Sequence, residues 1–208
     1  MDNYENTNNK VTVSGTIVSE PVYSHSVLGE EFFECFLQSN RLSGADDVLP
    51  ITVSSRIGLE IKKGEKFEIE GQIRSYNKPD VASGRNKLVL TIFAREIRKI
   101  NEDEADKNEI FLRGFLCKPP IFRTTPFSRE ICDILLACNR AYGKSDYIPL
   151  IVWGRNARMS KDACVGDEIE IMGRVQSRNY VKQTECGEEN KVAYEVSVAN
   201  LMCLQKQK

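Results

Sequence analysis

Aromatic and cationic side chains recur together in the second half of the chain, along two segments that alternate between apolar and polar residues. Tyr147 and Trp153 lie at the two ends of one segment, and Tyr180 follows Arg178 in the other. Aromatic rings offer flat surfaces for stacking, and guanidinium groups pair with phosphates. This chemistry suits a ligand with exposed bases and an anionic backbone. The predicted contact residues are Tyr142, Tyr147, Trp153, Tyr180, Arg140, Lys144, Arg155, Arg174 and Arg178.

Alternation along each segment predicts which side chains are exposed, because successive side chains of a strand point to opposite faces. The expected core-facing residues are Ile148, Leu150 and Val152 in the first segment and Ile169, Ile171, Gly173 and Val175 in the second. The expected outward rows are Tyr147, Pro149, Ile151 and Trp153, and Met172, Arg174, Gln176, Arg178 and Tyr180. In an alternative interpretation, the tyrosines only cover the edge of the core and the arginines are ordinary surface residues.

Both segments belong to the second of two similar copies, which an internal alignment reveals. NKVTVSGTIVSEPVY, beginning at Asn9, aligns with NEIFLRGFLCKPPIF, beginning at Asn108, and LPITVSSR aligns with IPLIVWGR at the same offset of 99 residues. After a three-residue insertion, KKGEKFEIEGQIRS aligns with CVGDEIEIMGRVQS at an offset of 102. The glycine pairs Gly15/Gly114 and Gly71/Gly173 are shared.

Each copy contains short β-branched segments separated by Gly, Asn, Asp and Ser, a pattern typical of an all-β barrel or sandwich. A helix is expected after the third strand, near residues 57–62 and 156–162. A sandwich normally needs about seven strands and no helix. We therefore predict an all-β chain of two tandem OB-folds, each a five-stranded Greek-key barrel with a short helix between strands 3 and 4. The predicted domains are residues 9–100 and 108–205, joined by the acidic linker at 101–107.

Charge and ring content distinguish the two copies. Residues 1–106 hold 13 Lys and Arg against 18 Asp and Glu, whereas residues 107–208 hold 16 against 12. The positions equivalent to the four predicted aromatic contacts are Ser43, Val48, Ser54 and Lys78. The first copy is therefore expected to bind an anionic strand weakly and to serve in packing or oligomer contacts.

No pattern of catalytic residues is present in the sequence. It contains no phosphate-binding loop and no pair of metal-binding histidines, and His25 is its only histidine. The seven cysteines form no C-x-x-C pair, and we interpret them as reduced and mostly buried. The chain is predicted not to be an enzyme and to use no cofactor and no metal.

No segment approaches the length of apolar sequence that spans a bilayer, and the first residues lack the pattern of a signal peptide. We therefore expect a cytoplasmic, nucleoid-associated protein without a membrane partner.

Three ordered motifs of the second copy resemble those of the bacterial single-stranded DNA-binding protein family. They are the first strand NEIFLRG, the aromatic-led strand YIPLIVWGR and the block GDEIEIMGRV. The first and third recur in the first copy as NKVTVSG and GEKFEIEGQI. The resemblance implies OB-folds, with base stacking at Tyr142, Tyr147, Trp153 and Tyr180.

The resemblance also bears on partners. Members of the family usually end in a disordered tail with an acidic tip that recruits other proteins, whereas this sequence ends in LQKQK, so no such recruitment tip is expected. Members with two OB-folds form dimers, which implies a homodimer with four barrels here.

Two functional hypotheses follow. In the first, the chain binds single-stranded DNA with little sequence preference, in support of replication, recombination or repair. In the second, it is a protein-interaction or primosome-accessory module with weak or no DNA binding. OB-folds also host RNA and oligosaccharide binders, so the fold alone does not decide the ligand.

Overall fold

The computed structural model describes residues 8–80, 84–184 and 187–205 of the chain. In the first half, six strands follow one another: β1 (Asn9–Ile17), β2 (Val22–Val27), β3 (Glu30–Asn40), β4 (Asp46–Ser54), β5 (Lys66–Asp80) and β6 (Arg85–Lys99). The second half repeats this order: β7 (Asn108–Leu116), β8 (Ile121–Thr124), β9 (Glu130–Asn139), β10 (Ser145–Trp153), β11 (Glu168–Thr184) and β12 (Gly187–Gln205). The helix α1 (Gly154–Ser160) lies between β10 and β11.

Each half closes into a barrel. In the first half the strand order is β2-β3-β4-β6-β5-β1, and a pairing between β3 and β1 completes the ring. The second half follows the same order with β8-β9-β10-β12-β11-β7, closed by β7 and β9. The chain is thus all-β with two OB-folds in tandem, as predicted, and each barrel carries one short strand, β2 or β8, beyond the expected five.

The glycine pair Gly15/Gly114 marks the point where each barrel closes. A Cβ on Gly15 would lie 2.0 Å from the carbonyl oxygen of Gln38 on β3, and one on Gly114 would lie 2.4 Å from that of Ala137 on β9. Because these neighbours are backbone atoms, a side chain would force the strands apart. The repeated glycines therefore reflect the same close crossing of strands in both copies.

The expected pair of helices is only half confirmed. In the second barrel α1 begins at Gly154, two residues before the predicted start, and buries Ala157. In the first barrel the prediction of a helix at 57–62 is wrong, because only a 3₁₀ turn forms at Ser55–Ile57. Gly58 follows that turn in the left-handed conformation, which ends a helix, whereas Ala and Arg in the second copy favour one.

The two barrels join edge to edge through β1 and β7. These strands pair antiparallel, with Val11 opposite Ile110 at the centre of the register. Since β1 and β7 are equivalent strands, the barrels are related by a local two-fold axis through this pair. Backbone hydrogen bonds across the seam follow the same symmetry, from Ser14 N–H to the Lys107 carbonyl and from Arg113 N–H to the Asn8 carbonyl, both at 2.8 Å.

Two fully buried carboxylates reinforce the junction. Asp146 of β10 accepts a hydrogen bond from the backbone N–H of Ser75 at 2.7 Å, and its equivalent Asp47 accepts one from Ser177 N–H at 2.8 Å. Each carboxylate also pairs with an arginine of the other barrel, Arg74 or Arg174. Hydrogen bonds to charged groups are among the stronger ones, so these contacts hold the barrels in one arrangement.

Among the described residues, no helix is long and apolar enough to cross a membrane. The described cysteines are evenly divided rather than mostly buried. Cys35, Cys132 and Cys138 are buried, whereas Cys117 is half-buried and Cys164 and Cys203 are exposed.

Candidate nucleic-acid interface

Strand β10 presents aromatic rings at both ends of its outward row. Tyr147 retains 44% of its surface exposure and Trp153 retains 37%, so neither ring is in the core. The Trp153 indole Nε1–H donates to Ser197 Oγ on β12 at 3.2 Å, which orients the ring on the barrel surface. The backbone N–H of Tyr147 donates to Ser75 Oγ of the first barrel at 2.7 Å. The Trp153 ring and the Tyr147 backbone are therefore held in place while both rings remain accessible.

The loop between β9 and β10 exposes a third ring. Tyr142 is 98% exposed and has the left-handed backbone angles φ 61° and ψ 33°, which bulky residues rarely adopt. A hydrogen bond from Arg140 N–H to the Lys144 carbonyl at 2.7 Å closes this loop. Such strained, exposed positions occur preferentially at ligand-binding sites. Lys144 is also exposed at the end of the loop.

The long β11–β12 hairpin carries Tyr180 and Arg178. The Arg178 guanidinium carbon lies 6.0 Å from the centre of the Tyr180 ring, within the range of a cation–π contact. Arg178 Nε is 3.6 Å from Glu195 Oε1, and Tyr180 is half-buried. This cation and this ring are thus close enough to contact neighbouring parts of one ligand.

Two predicted arginines already have partners at the junction of the barrels. Arg140 Nε lies 3.2 Å from Asp146 Oδ2, and Arg174 Nη1 lies 3.4 Å from Asp47 Oδ2. Burial lowers the pKa of Arg174, and repulsion from Arg41 lowers it further. Arg174 therefore joins the two barrels, whereas Arg140 pairs with a carboxylate of its own barrel, and each of the two lines a cleft at the junction.

Arg155 lies apart from the rings. It lines a cleft with Phe111, Met159 and Met172, whereas Trp153 lines a different one beside Arg129. Trp153 and Tyr147 thus lie on the exposed face of β10, which pairs with β12, whereas Arg155 lies at the outer surface of the β7–β11 sheet.

The inward rows of the second barrel are confirmed except at Gly173, which is half-buried. Buried positions include Ile148, Leu150, Val152, Ile169, Ile171 and Val175. Two members of the predicted outward rows, Ile151 and Gln176, are nevertheless buried. Gln176 is covered because its side chain bonds Glu195 at 2.7 Å and Arg174 at 3.2 Å.

The first barrel has exposed rings outside the four aligned aromatic positions. Phe36 is 41% exposed and Tyr76 is 44% exposed, close to the values for Trp153 and Tyr147. Their equivalents in the second copy are Leu135 and Arg178, so a comparison restricted to the four predicted positions overlooks them. The outward alternation of β3 and β5 was the sequence signal for these two residues. Glu34 lies near Tyr76, whose pKa is raised by burial and by this carboxylate.

Comparison with known proteins agrees with this geometry. Residues 107–204, which include all but the end of the second barrel, match the model of the single-strand binding protein family. The second barrel, slightly less than half of the chain, is therefore similar to this family.

Two similar proteins are named single-stranded DNA-binding proteins. Single-stranded DNA-binding protein 1 of Lactococcus lactis is 34% identical over 83 residues, which cover 36% of this chain and 55% of the relative. Single-stranded DNA-binding protein 1 of Staphylococcus aureus is 34% identical over 87 residues, covering 36% and 50%. The chain thus spans about half the length of these relatives.

Solved structures match both barrels together. The wild-type single-stranded DNA-binding protein from Thermus aquaticus aligns over 96% of this chain and 94% of its own, with a TM-score of 0.75 and 17% identity. A deletion mutant of the same protein aligns over 96% of each chain, with a TM-score of 0.72 and 18% identity. This similarity establishes the tandem OB-fold.

Proposed function

We propose that the second barrel binds single-stranded DNA with little sequence preference. Bases stack on Tyr142, Tyr147, Trp153 and Tyr180, and neighbouring cations such as Lys144 and Arg178 pair with phosphates. The observation that carries this proposal is the accessibility of Tyr142, Tyr147 and Trp153 on the surface of a family domain. Arg140 and Arg174 contribute at the margins of this surface, whereas Arg155 lies apart from it. The cellular role is support of replication, recombination or repair.

Fluorescence tests this proposal directly, because Trp153 is the only tryptophan of the chain. Titration with the oligonucleotide (dT)35 should quench its emission, and binding should weaken steeply with salt as counterions compete for the phosphates. Absence of quenching at low salt argues against stacking at Trp153. Duplex DNA and RNA of equal length show whether the site prefers an unpaired deoxyribose strand.

Removing two rings measures their contribution. The double variant Tyr147→Ala/Trp153→Ala should bind (dT)35 at least about thirtyfold more weakly in a gel shift, because each stacked base contributes about 1 to 3 kcal/mol. Tyr23→Ala is the matched control, since Tyr23 is an exposed tyrosine of the first barrel. Equal affinity of parent and double variant would place the site elsewhere.

We also infer that two copies associate into a homodimer with four barrels. Met159, Met172 and Met202 are exposed around an apolar cleft of about 620 Å³ on the outer surface of the β7–β11–β12 sheet. Methionine is common at adaptable interfaces, and an isologous contact buries the same surface on both copies. Light scattering should give twice the chain mass for the parent and the single-chain mass for Met172→Glu/Met202→Glu.

A second candidate function is a protein-interaction or primosome-accessory module. Exposed apolar side chains on the β2–β3 hairpin, Val22, Tyr23, Val27 and Leu28, favour it. Unlike the first proposal, it requires neither quenching of Trp153 nor any effect of salt on oligonucleotide binding.

A further inference from the structure

A cleft of about 630 Å³ lies where the two barrels meet, and four arginines line it. Arg74 and Arg95 come from the first barrel, and Arg113 and Arg140 come from the second. Arg113 is already neutralised, because its guanidinium lies 2.7 Å from Glu168 and 3.7 Å from Glu170. The remaining arginines, Arg74, Arg95 and Arg140, give this arginine cleft its name.

Acceptors in the arginine cleft are too few for its cations. Arg74 Nη1 donates to Asp146 Oδ2 at 3.0 Å, and Arg140 Nε lies 3.2 Å from the same oxygen. Arg74 and Arg95 both donate to Oε1 of Gln72. Three guanidinium groups thus share one carboxylate and one amide oxygen, and the buried Nε of Arg140 lies in an ion pair with Asp146 but forms no hydrogen bond to any described residue.

Crowding of like charges affects the central arginine. Burial lowers the pKa of Arg74, and repulsion from Arg140 and Arg95 lowers it further, while Asp146 acts in the opposite direction. An anion entering this cleft would relieve the repulsion between the guanidinium groups.

The two-fold related cleft provides an internal comparison. It has the same position relative to the seam but is lined by Arg41, Lys107 and Arg174 together with Asp106 and Glu109. Here Arg41 pairs with the buried carboxylate of Asp47, and its hydrogen bond to Asp47 raises its pKa.

Substitutions between the copies, together with the acidic Asp106 and Glu109 of the second cleft, account for the difference between the two clefts. Gln176 stands at the position of Arg74, Arg174 at that of Gln72, and Ala199 at that of Arg95. The excess of positive charge is therefore a property of one side of the junction and not a consequence of the fold.

We propose that the arginine cleft binds a phosphate group of the single strand as the strand passes from the second barrel to the first. Planar guanidinium groups pair with phosphates through two parallel hydrogen bonds, which lysine cannot form. The cleft adjoins the stacking surface, since Ala141 lines it and Tyr142 follows in the chain. On the first barrel, Tyr76 lies two residues beyond Arg74 on β5. This inference rests on the proposed function and adds the junction to the binding path.

The test compares two charge-removing variants of β6. Arg95→Gln removes a guanidinium from the cleft, whereas Arg98→Gln removes one that pairs with Glu68 outside it. For Arg95→Gln the slope of log K against log salt for (dT)35 should fall by about 0.7, and Kd at 0.1 M salt should rise about fivefold. Arg98→Gln should change Kd less than twofold. The double variant Arg74→Gln/Arg95→Gln should lose about 1.4 in slope, with thermal melts confirming that it folds.

The outcomes separate this inference from the proposed function. Quenching of Trp153 in the parent with equal affinities for Arg95→Gln and Arg98→Gln overturns the arginine cleft alone. Absence of quenching in the parent overturns both. Titration calorimetry with sodium phosphate distinguishes the source of the phosphate: if Arg95→Gln abolishes binding of inorganic phosphate and leaves (dT)35 binding unchanged, the cleft serves a free anion and the strand-path proposal is wrong.

Discussion

Asp146 should be among the side chains whose loss most destabilises the junction of the barrels. Its carboxylate has no exposed surface and accepts from Ser75 N–H at 2.7 Å and from Arg74 at 3.0 Å, with Arg140 at 3.2 Å. In Asp146→Ala the buried N–H of Ser75 loses its acceptor, and two guanidinium groups lose their counter-charge. Breaking a buried ion pair from one side costs about 3 to 5 kcal/mol. The lower end of that range is expected, because the side chains of Arg74 and Arg140 are 20% and 31% exposed and water can reach them.

Urea denaturation followed by circular dichroism measures this loss as a change in the free energy of unfolding. Asp146→Asn should lose less, since an amide oxygen can still accept from Ser75. Asp133→Ala is the matched control: its carboxylate pairs with Arg123 on the surface, where such pairs contribute about 0 to 1 kcal/mol. If Asp146→Ala destabilises the protein no more than Asp133→Ala, the junction does not depend on its buried carboxylates.

Three further predictions concern barrel closure, thiol chemistry and the first barrel. Gly114→Ala should lower the free energy of unfolding by about 1 to 3 kcal/mol in urea denaturation, because its Cβ would lie 2.4 Å from a backbone oxygen, and an unchanged midpoint would contradict the close crossing. Cys164 is exposed and should react with a thiol reagent in the native protein at pH 8, whereas Cys35 and Cys138 should react only after unfolding, since burial raises their pKa to about 11 and about 12. The pKa values of these thiols are higher in the folded protein than in the unfolded chain. Their contribution to stability is therefore complete below about pH 9 and declines as the pH rises through 11 to 12, which thermal melts at increasing pH can measure. Phe36→Ala/Tyr76→Ala should weaken (dT)35 binding less than Tyr147→Ala/Trp153→Ala does, since Glu34 lies beside Tyr76; a larger loss would make the first barrel the principal site.

Local patterns in the sequence predict the barrels and most of the buried rows. Strand alternation has a period of two residues and depends only on which neighbours are apolar, so Ile148, Leu150 and Val152 could be assigned to the core without knowledge of the fold. The glycines Gly15 and Gly114 could be recognised from the internal repeat. The physical need for glycine is visible only in the folded barrels, where a carbonyl oxygen of β3 or β9 lies next to the place that a Cβ would occupy. The helix expected in the first copy failed for a local reason that was also in the sequence, the left-handed Gly58.

Tertiary structure decided which carboxylate each predicted cation faces. Arg140 and Arg174 could not be distinguished from Arg178 by spacing, because their partners Asp146 and Asp47 are fully buried at a junction built from strands of both barrels. Arg74 and Arg95 belong to the acidic half of the chain, yet they meet Arg140 in one cleft. Charge counted along a sequence averages over neighbours in the chain, whereas the field at a site depends on distances in space. Only the pairing of β1 with β7 sets those distances.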